Sequence, residues 1–123
     1  MARLSLTPQS MPAKYPVLPI TANALDITFT AAGADFADGA GFVMNEKDIL
    51  IAYNPDSSAH TVTISSVVDP YNRTGNITSY SIGAGEHAVF PQFKKDGWAQ
   101  SDGKLYFATD NALVQFAVLR LTD

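Results

Sequence analysis

The chain of 123 residues fits one ordinary domain, and its 46% hydrophobic content supplies a core that needs no staple. A net charge of −4 is spread over twelve acids and eight bases with no like-charge run beyond Lys94-Lys95, which argues against nucleic-acid binding. The absence of cysteine excludes disulfides, thiolate metal sites and cysteine nucleophiles, and no apolar run approaches the ~18 residues of a membrane span.

Residues 1–20 differ from the rest. Pro8, Pro12, Pro16 and Pro19 each remove a backbone donor and push the preceding residue toward extended geometry, so neither a helix nor a central strand fits. The stretch still carries Leu4, Leu6, Met11, Tyr15, Val17, Leu18 and Ile20. One reading is an extended Pro-rich arm over 1–20 lying on a surface, ahead of a single β domain over 21–123. The other is a frayed terminus followed by a short edge strand. The first residues lack the apolar run of a signal peptide, so cytoplasmic synthesis is expected.

From residue 25 the pattern has a period of two. Leu25, Ile27 and Phe29 alternate with Asp26, Thr28 and Thr30, which predicts a half-buried strand over 25–30. The small, Gly-rich stretch 31–41 reads as a loop anchored by Phe36, with a single helical turn over 34–38 as the alternative. Residues 48–54 are apolar on both faces and predict an interior strand, stopped at Asn54-Pro55-Asp56. Residues 59–66 alternate again, with Val62 and Ile64 inward. The short gap 55–58 suggests a hairpin between these two strands.

Residues 69–76 are dense in turn formers and predict a surface loop. Strands follow over 77–82 and 86–90, with Gly83-Ala84-Gly85 turning the chain between them. A connection over 93–98 and a tight turn at 101–103 lead to the last pair, 104–109 and 113–121, joined at Thr109-Asp110-Asn111. The final strand is nearly all apolar and belongs in the middle of a sheet. Seven or eight strands at about ten-residue spacing, with no capped helical period, predict an all-β antiparallel sandwich or jelly-roll-like barrel.

Little in this sequence carries chemistry. His60 and His87 lie in Thr- or Ala-rich strands with no carboxylate at ligand spacing, so both read as strand-surface residues and no metal or cofactor is expected. The candidate carboxylates Asp35, Asp38, Glu46, Asp48, Asp56, Asp69, Asp96, Asp102 and Asp110 nearly all adjoin Gly, Pro or Asn, where an aspartate bonds nearby backbone and shapes a turn. No Gly-x-Ser-x-Gly elbow or phosphate loop is present. No catalytic role is expected. The charged fraction of 16%, against about 25% on average, leaves a surface of small neutral residues common on proteins packed against others. Tyr53, Tyr71, Tyr80, Phe93, Trp98 and Tyr106 have three readings: core packing, a protein contact, or a sugar platform.

The segments Ser-Ala-His-Thr-Val-Thr-Ile (58–64), Val-Asp-Pro-Tyr-Asn-Arg-Thr-Gly-Asn-Ile (68–77), Gly-Glu-His-Ala-Val-Phe (85–90) and Gly-Trp-Ala-Gln-Ser-Asp-Gly-Lys-Leu-Tyr-Phe (97–107) resemble small head-associated proteins of tailed bacteriophages, the decoration or cement proteins. The resemblance implies a virion protein on the outer capsid surface, dimeric or trimeric, that bridges major capsid protein subunits against the pressure of packaged DNA. It directs attention to the arm (Met11, Tyr15, Val17), the 69–76 loop (Tyr71, Arg73) and the 93–98 connection (Phe93, Trp98) as contact surfaces. Rival readings are a carbohydrate-binding β module, a tail or neck structural protein, and, more distantly, a small β-barrel enzyme.

Overall fold

Ten strands appear in a computed structural model that describes residues 4–12, 14–34 and 36–121. Residues 1–3 of the arm and the candidate acid Asp35 lie outside the described residues. In chain order the strands are β1 (Leu4–Ser5), β2 (Gln9–Ser10), β3 (Thr30–Ala31), β4 (Ala40–Val43), β5 (Asp48–Tyr53), β6 (His60–Ser65), β7 (Ile77–Ile82), β8 (His87–Val89), β9 (Lys104–Thr109) and β10 (Gln115–Arg120). A single 3-10 turn, Phe36–Asp38, precedes β4. The strands form two five-stranded sheets packed as a sandwich. The first has the order β1-β4-β9-β6-β7, and the second β2-β10-β5-β8, with β3 also pairing β10.

Alternation builds the interior. β5 buries Asp48, Leu50 and Ala52, β6 buries Val62 and Ile64, and β9 buries Leu105, Phe107 and Thr109. In each strand the intervening side chains point to the other face of the sheet. Phe42 and Phe107 pack at 6.2 Å within the first sheet, and Phe107 meets Phe116 of the second sheet edge-on at 4.8 Å. Burying each such ring contributes roughly 1.5–3 kcal/mol. β10 buries Phe116, Ala117 and Val118 in succession, so both its faces are covered, and it lies between β5 and the short strands β2 and β3. That is the central position its composition calls for.

Several expectations need correction. The sheets are mixed, because β1 runs parallel to β4 and β2 parallel to β10. The strand count exceeds seven or eight because three strands have only two residues each, too short to leave a periodic trace. The strand expected over 25–30 is absent up to Thr30, and Leu25 and Ile27 are 53% and 43% exposed. Alternation there has no neighbouring edge to pair with until the chain reaches β10 at Thr30. Conversely, the loop expected over 31–41 gives way at Ala40 to the strand Ala40–Val43, whose first three residues are buried between β1 and β9.

The hairpin expected across 55–58 is not formed either. β5 and β6 lie in different sheets, and the connection crosses the sandwich. Asn54 fixes this crossing. It is fully buried, and its Nδ2 donates to the carbonyls of Ser58 at 2.8 Å and Ile82 at 3.0 Å, while its main-chain N–H donates to the Glu86 carbonyl at 3.0 Å. The crossing from β7 to β8 is thereby stitched beside the crossing from β5 to β6. The last two strands also sit in opposite sheets. Of the longer strands, β6 and β7 form the one pair of chain neighbours that also pair in a sheet, and a bulge between Val62 and Ile64 interrupts their register. With Ser79 at φ 51°, the bulge blunts the outer edge of the first sheet.

The N-terminal stretch carries two short edge strands, β1 and β2, and so its first part belongs to the sandwich. Leu6 is buried in the core between β1 on one sheet and β2 on the other. Residues 14–28 then make an excursion that carries no strand or helix. No helix of the described residues is long and apolar enough to cross a membrane.

Candidate functional site

The β6–β7 loop is held by its own polar side chains. Asp69 Oδ1 accepts the main-chain N–H groups of Tyr71 at 2.8 Å and Arg73 at 2.9 Å. The N–H of Asp69 donates back to the Arg73 carbonyl at 2.9 Å, closing the turn. Arg73 Nε donates to Asp69 Oδ2 at 2.7 Å. These donors, the Arg73 backbone N–H first, hold the Asp69 carboxyl below the usual carboxylate range. At the base, Asn76 Oδ1 accepts from Ser66 N–H at 2.7 Å, and Ser66 Oγ accepts from Gly75 N–H at 2.9 Å. Asx turns of this kind explain why the segment is so rich in Asp, Asn and Ser.

What the loop presents is an aromatic ring and a cation. Tyr71 is 77% exposed, and the Arg73 guanidinium lies over its ring, 5.2 Å from the centroid. Stacking and the Asp69 contact reduce the freedom of the guanidinium before any partner arrives.

The 93–98 connection packs behind the loop. Phe93 is buried, so it is a core residue and presents no contact surface. Trp98 is half-buried with its ring 4.6 Å from that of Phe93. The Gly97 carbonyl accepts the Val67 N–H at 2.7 Å, which joins the connection to the loop. Gly97 has φ 95°, a left-handed geometry that favours glycine. Between the two segments runs an open groove of about 590 Å³, lined by Arg73, Thr74, Gln92, Lys94, Asp96 and Trp98.

Met11, Tyr15 and Val17 belong elsewhere. Met11 follows β2 on the β10 edge, its N–H bonded to the Arg120 carbonyl at 2.9 Å, whereas the Tyr71 loop leads into β7 at the far edge of the other sheet. Met11 is 39% exposed, Tyr15 95% and Val17 92%. They extend into an apolar surface that also includes Leu18, Ile20, Leu25 and Ile27, all exposed. The clustering of Pro12, Pro16 and Pro19 signals this excursion, but the alternation at 25–30 masked its second half.

The titratable groups outside these surfaces serve the fold. His60 Nε2 lies 2.8 Å from Asp56 Oδ2, and Nδ1 lies 3.4 Å from Asp110 Oδ1. This corrects the expectation of a histidine with no carboxylate at ligand spacing: Asp56 stands four residues before it, and Asp110 arrives from the β9–β10 crossing. The bond to His60, with the Ser57 N–H, lowers the Asp56 pKa. His87 stacks on Tyr53 at 4.2 Å. Among the described residues no cluster of three or more His, Asp or Glu side chains is placed to hold a metal. No protein-family model, curated protein or solved structure matches the chain.

Proposed function

We propose that this chain is a structural virion protein that binds the outer surface of a tailed-phage capsid and braces the shell by bridging major capsid protein subunits. The observation that carries the reading is the pairing of an exposed Tyr71 with Arg73 on a loop made rigid by Asp69. Tyrosine and arginine dominate the energetics of protein interfaces, and preorganisation lowers the entropy lost on docking. The resemblance of residues 57–121 to head decoration proteins supplies the shell as partner. The role is mechanical and calls for no cofactor and no catalysis. Many copies on a lattice add modest contacts into firm attachment. On this reading the protein is made in the host cytoplasm and ends on the virion.

The test is binding of the Tyr71→Ala/Arg73→Ala double variant to purified capsids lacking this protein. Loss of two central contacts should weaken binding by roughly 30-fold or more. Unchanged affinity would sink the proposal. Imaging of virions should place many copies on the head; copies confined to the tail or neck would favour the corresponding rival role.

A second reading draws on the groove floored by Trp98. An aromatic face with Gln92, Thr74 and Asp96 around it suits a carbohydrate. A glycan array comparing the natural chain with Trp98→Ala separates the two. Glycan binding lost in that variant would support a carbohydrate module.

A further inference from the structure

Both sheets are completed on one side by the same short N-terminal segment. Leu4 N–H donates to the Gly39 carbonyl at 3.0 Å and Leu6 N–H to the Gly41 carbonyl at 2.9 Å, which adds β1 to the edge of β4. A few residues later β2 lies on the edge of β10 at Leu119 and Arg120. The chain then leaves that edge, runs through residues 12–29, and returns to the same edge of β10 as β3 at Gln115 and Phe116. Residues 4–11 are thus an edge element joined to the rest through a long hinge.

The hinge is unusual for a monomer. Connections longer than ~12–15 residues without secondary structure are uncommon in compact domains and are usually functional. This one is held by Ala24 N–H to the Thr21 carbonyl at 3.2 Å, Asp26 N–H to the Asn23 carbonyl at 3.3 Å, and two bonds to the Gln9 side chain. It leaves Tyr15, Val17, Leu18 and Leu25 at 95%, 92%, 72% and 53% exposure. Its charged residues are Lys14 and Asp26, one of each sign, so two such hinges meet without net repulsion.

We propose that residues 4–11 are exchanged between two copies of this chain, each segment completing the sheets of its partner while the paired hinges cover one another. Every contact of the segment, with β4, β10 and the Gln9-bonded limb, exists identically on a second copy, so exchange sacrifices none of them. A hinge of this length reaches on the order of 60 Å when extended, ample to cross to a neighbour. β3 stays with its own β10. The exchange gives the apolar hinge an occupant of matching chemistry. Residues 4–12 and 14–29 also match in number the roughly 20–30 residues a side of a standard interface.

The experiment uses the full chain and does not involve capsids, so its outcome is separate from that of the shell-binding reading. Light scattering should give twice the 13.2 kDa chain mass, and a monomer at all attainable concentrations overturns the inference. Gln9 and Leu119 are partners across the β2–β10 pair, and the chain has no cysteine of its own. The Gln9→Cys/Leu119→Cys variant is treated at low concentration with a short bis-maleimide and run on a denaturing gel. Exchange predicts that most crosslinked chain migrates as a covalent dimer. Crosslinked chain that migrates as monomer overturns exchange, even if the protein is dimeric by another route.

Discussion

Arg120 and Asp48 stand directly opposite each other across the β10–β5 pair, and the guanidinium grips the carboxylate through Nε at 2.8 Å and Nη2 at 3.1 Å. The same Nη2 donates to the Val43 carbonyl at 3.0 Å, so one side chain ties the second sheet to the end of β4 in the first. The grip of Asp48 raises the Arg120 pKa above its ordinary value. Asp48 is 5% exposed, and removing either partner strands a charge or a set of donors. Asp48→Ala is expected to cost about 2–4 kcal/mol in denaturant unfolding. A loss below about 1 kcal/mol would show the pair to be incidental.

Asn54 has no substitute at its position. Replacing it with Ala leaves the Ser58 and Ile82 carbonyls without their side-chain donor, the second of them in a buried site. The expected loss is about 2–3 kcal/mol. Asn54→Asp should be worse near neutral pH, because a carboxylate would face those carbonyls, and should recover in part on acidification as the group takes up a proton. Thermal unfolding of both variants between acid and neutral pH checks the ordering.

Asp56 and Asp69 carry carboxyls with pKa values below the ordinary 3.8, through the His60 and the Arg73 hydrogen bonds respectively. Both bind fewer protons folded than unfolded as pH falls toward that value. Their contribution to stability is therefore full above the unfolded pKa and is lost as pH drops through the folded one. His60→Ala should move the Asp56 titration upward and leave that of Asp69 where it is. Carboxyl chemical shifts followed by NMR give both midpoints.

Phe93 and Tyr71 should separate cleanly. Phe93→Ala removes a buried ring from beside Trp98 and is expected to cost about 3–5 kcal/mol. Tyr71→Ala removes an exposed ring and should change stability by no more than about 0.5 kcal/mol while weakening shell binding. A stable Phe93→Ala variant with impaired binding would reverse the assignment of these two residues.

The residues that alternate against a packed interior were the legible ones. β5, β6, β7 and β9 fall within a residue or so of their expected limits: in β6 and β9 because Val62, Ile64, Leu105 and Phe107 face inward and alternate with polar or half-buried neighbours, in β5 because its apolar run ends at Asn54-Pro55, and in β7 because turn residues bound it on both sides. The same alternation misled at Leu25 and Ile27, where no edge was available. Pairing was illegible throughout: turn residues at 55–58 and 83–85 mark a reversal of the chain but carry no record of which sheet receives it. At the candidate surface, turn chemistry located the Tyr71 loop, whereas Phe93 was indistinguishable from an exposed aromatic because its burial depends on packing against core residues remote in sequence. The partnership of His60 with Asp110 lay beyond any local pattern for the same reason.

The repeated crossing of the chain between sheets governs how the molecule must assemble. Apart from the β6–β7 pair in the first sheet, each of the long strands waits for a partner distant in sequence, so local contacts nucleate little of either sheet. Folding should be slow for a chain this size, on the millisecond-to-second scale of high-contact-order β proteins, and close to all-or-none. Fragments ending before β9 and β10 would lack the strands that flank β4, β6 and β5, and would expose unpaired edges. During synthesis the nascent chain therefore stays unfolded until β9 and β10 emerge, and its yield should depend on the chaperones of the cell that makes it.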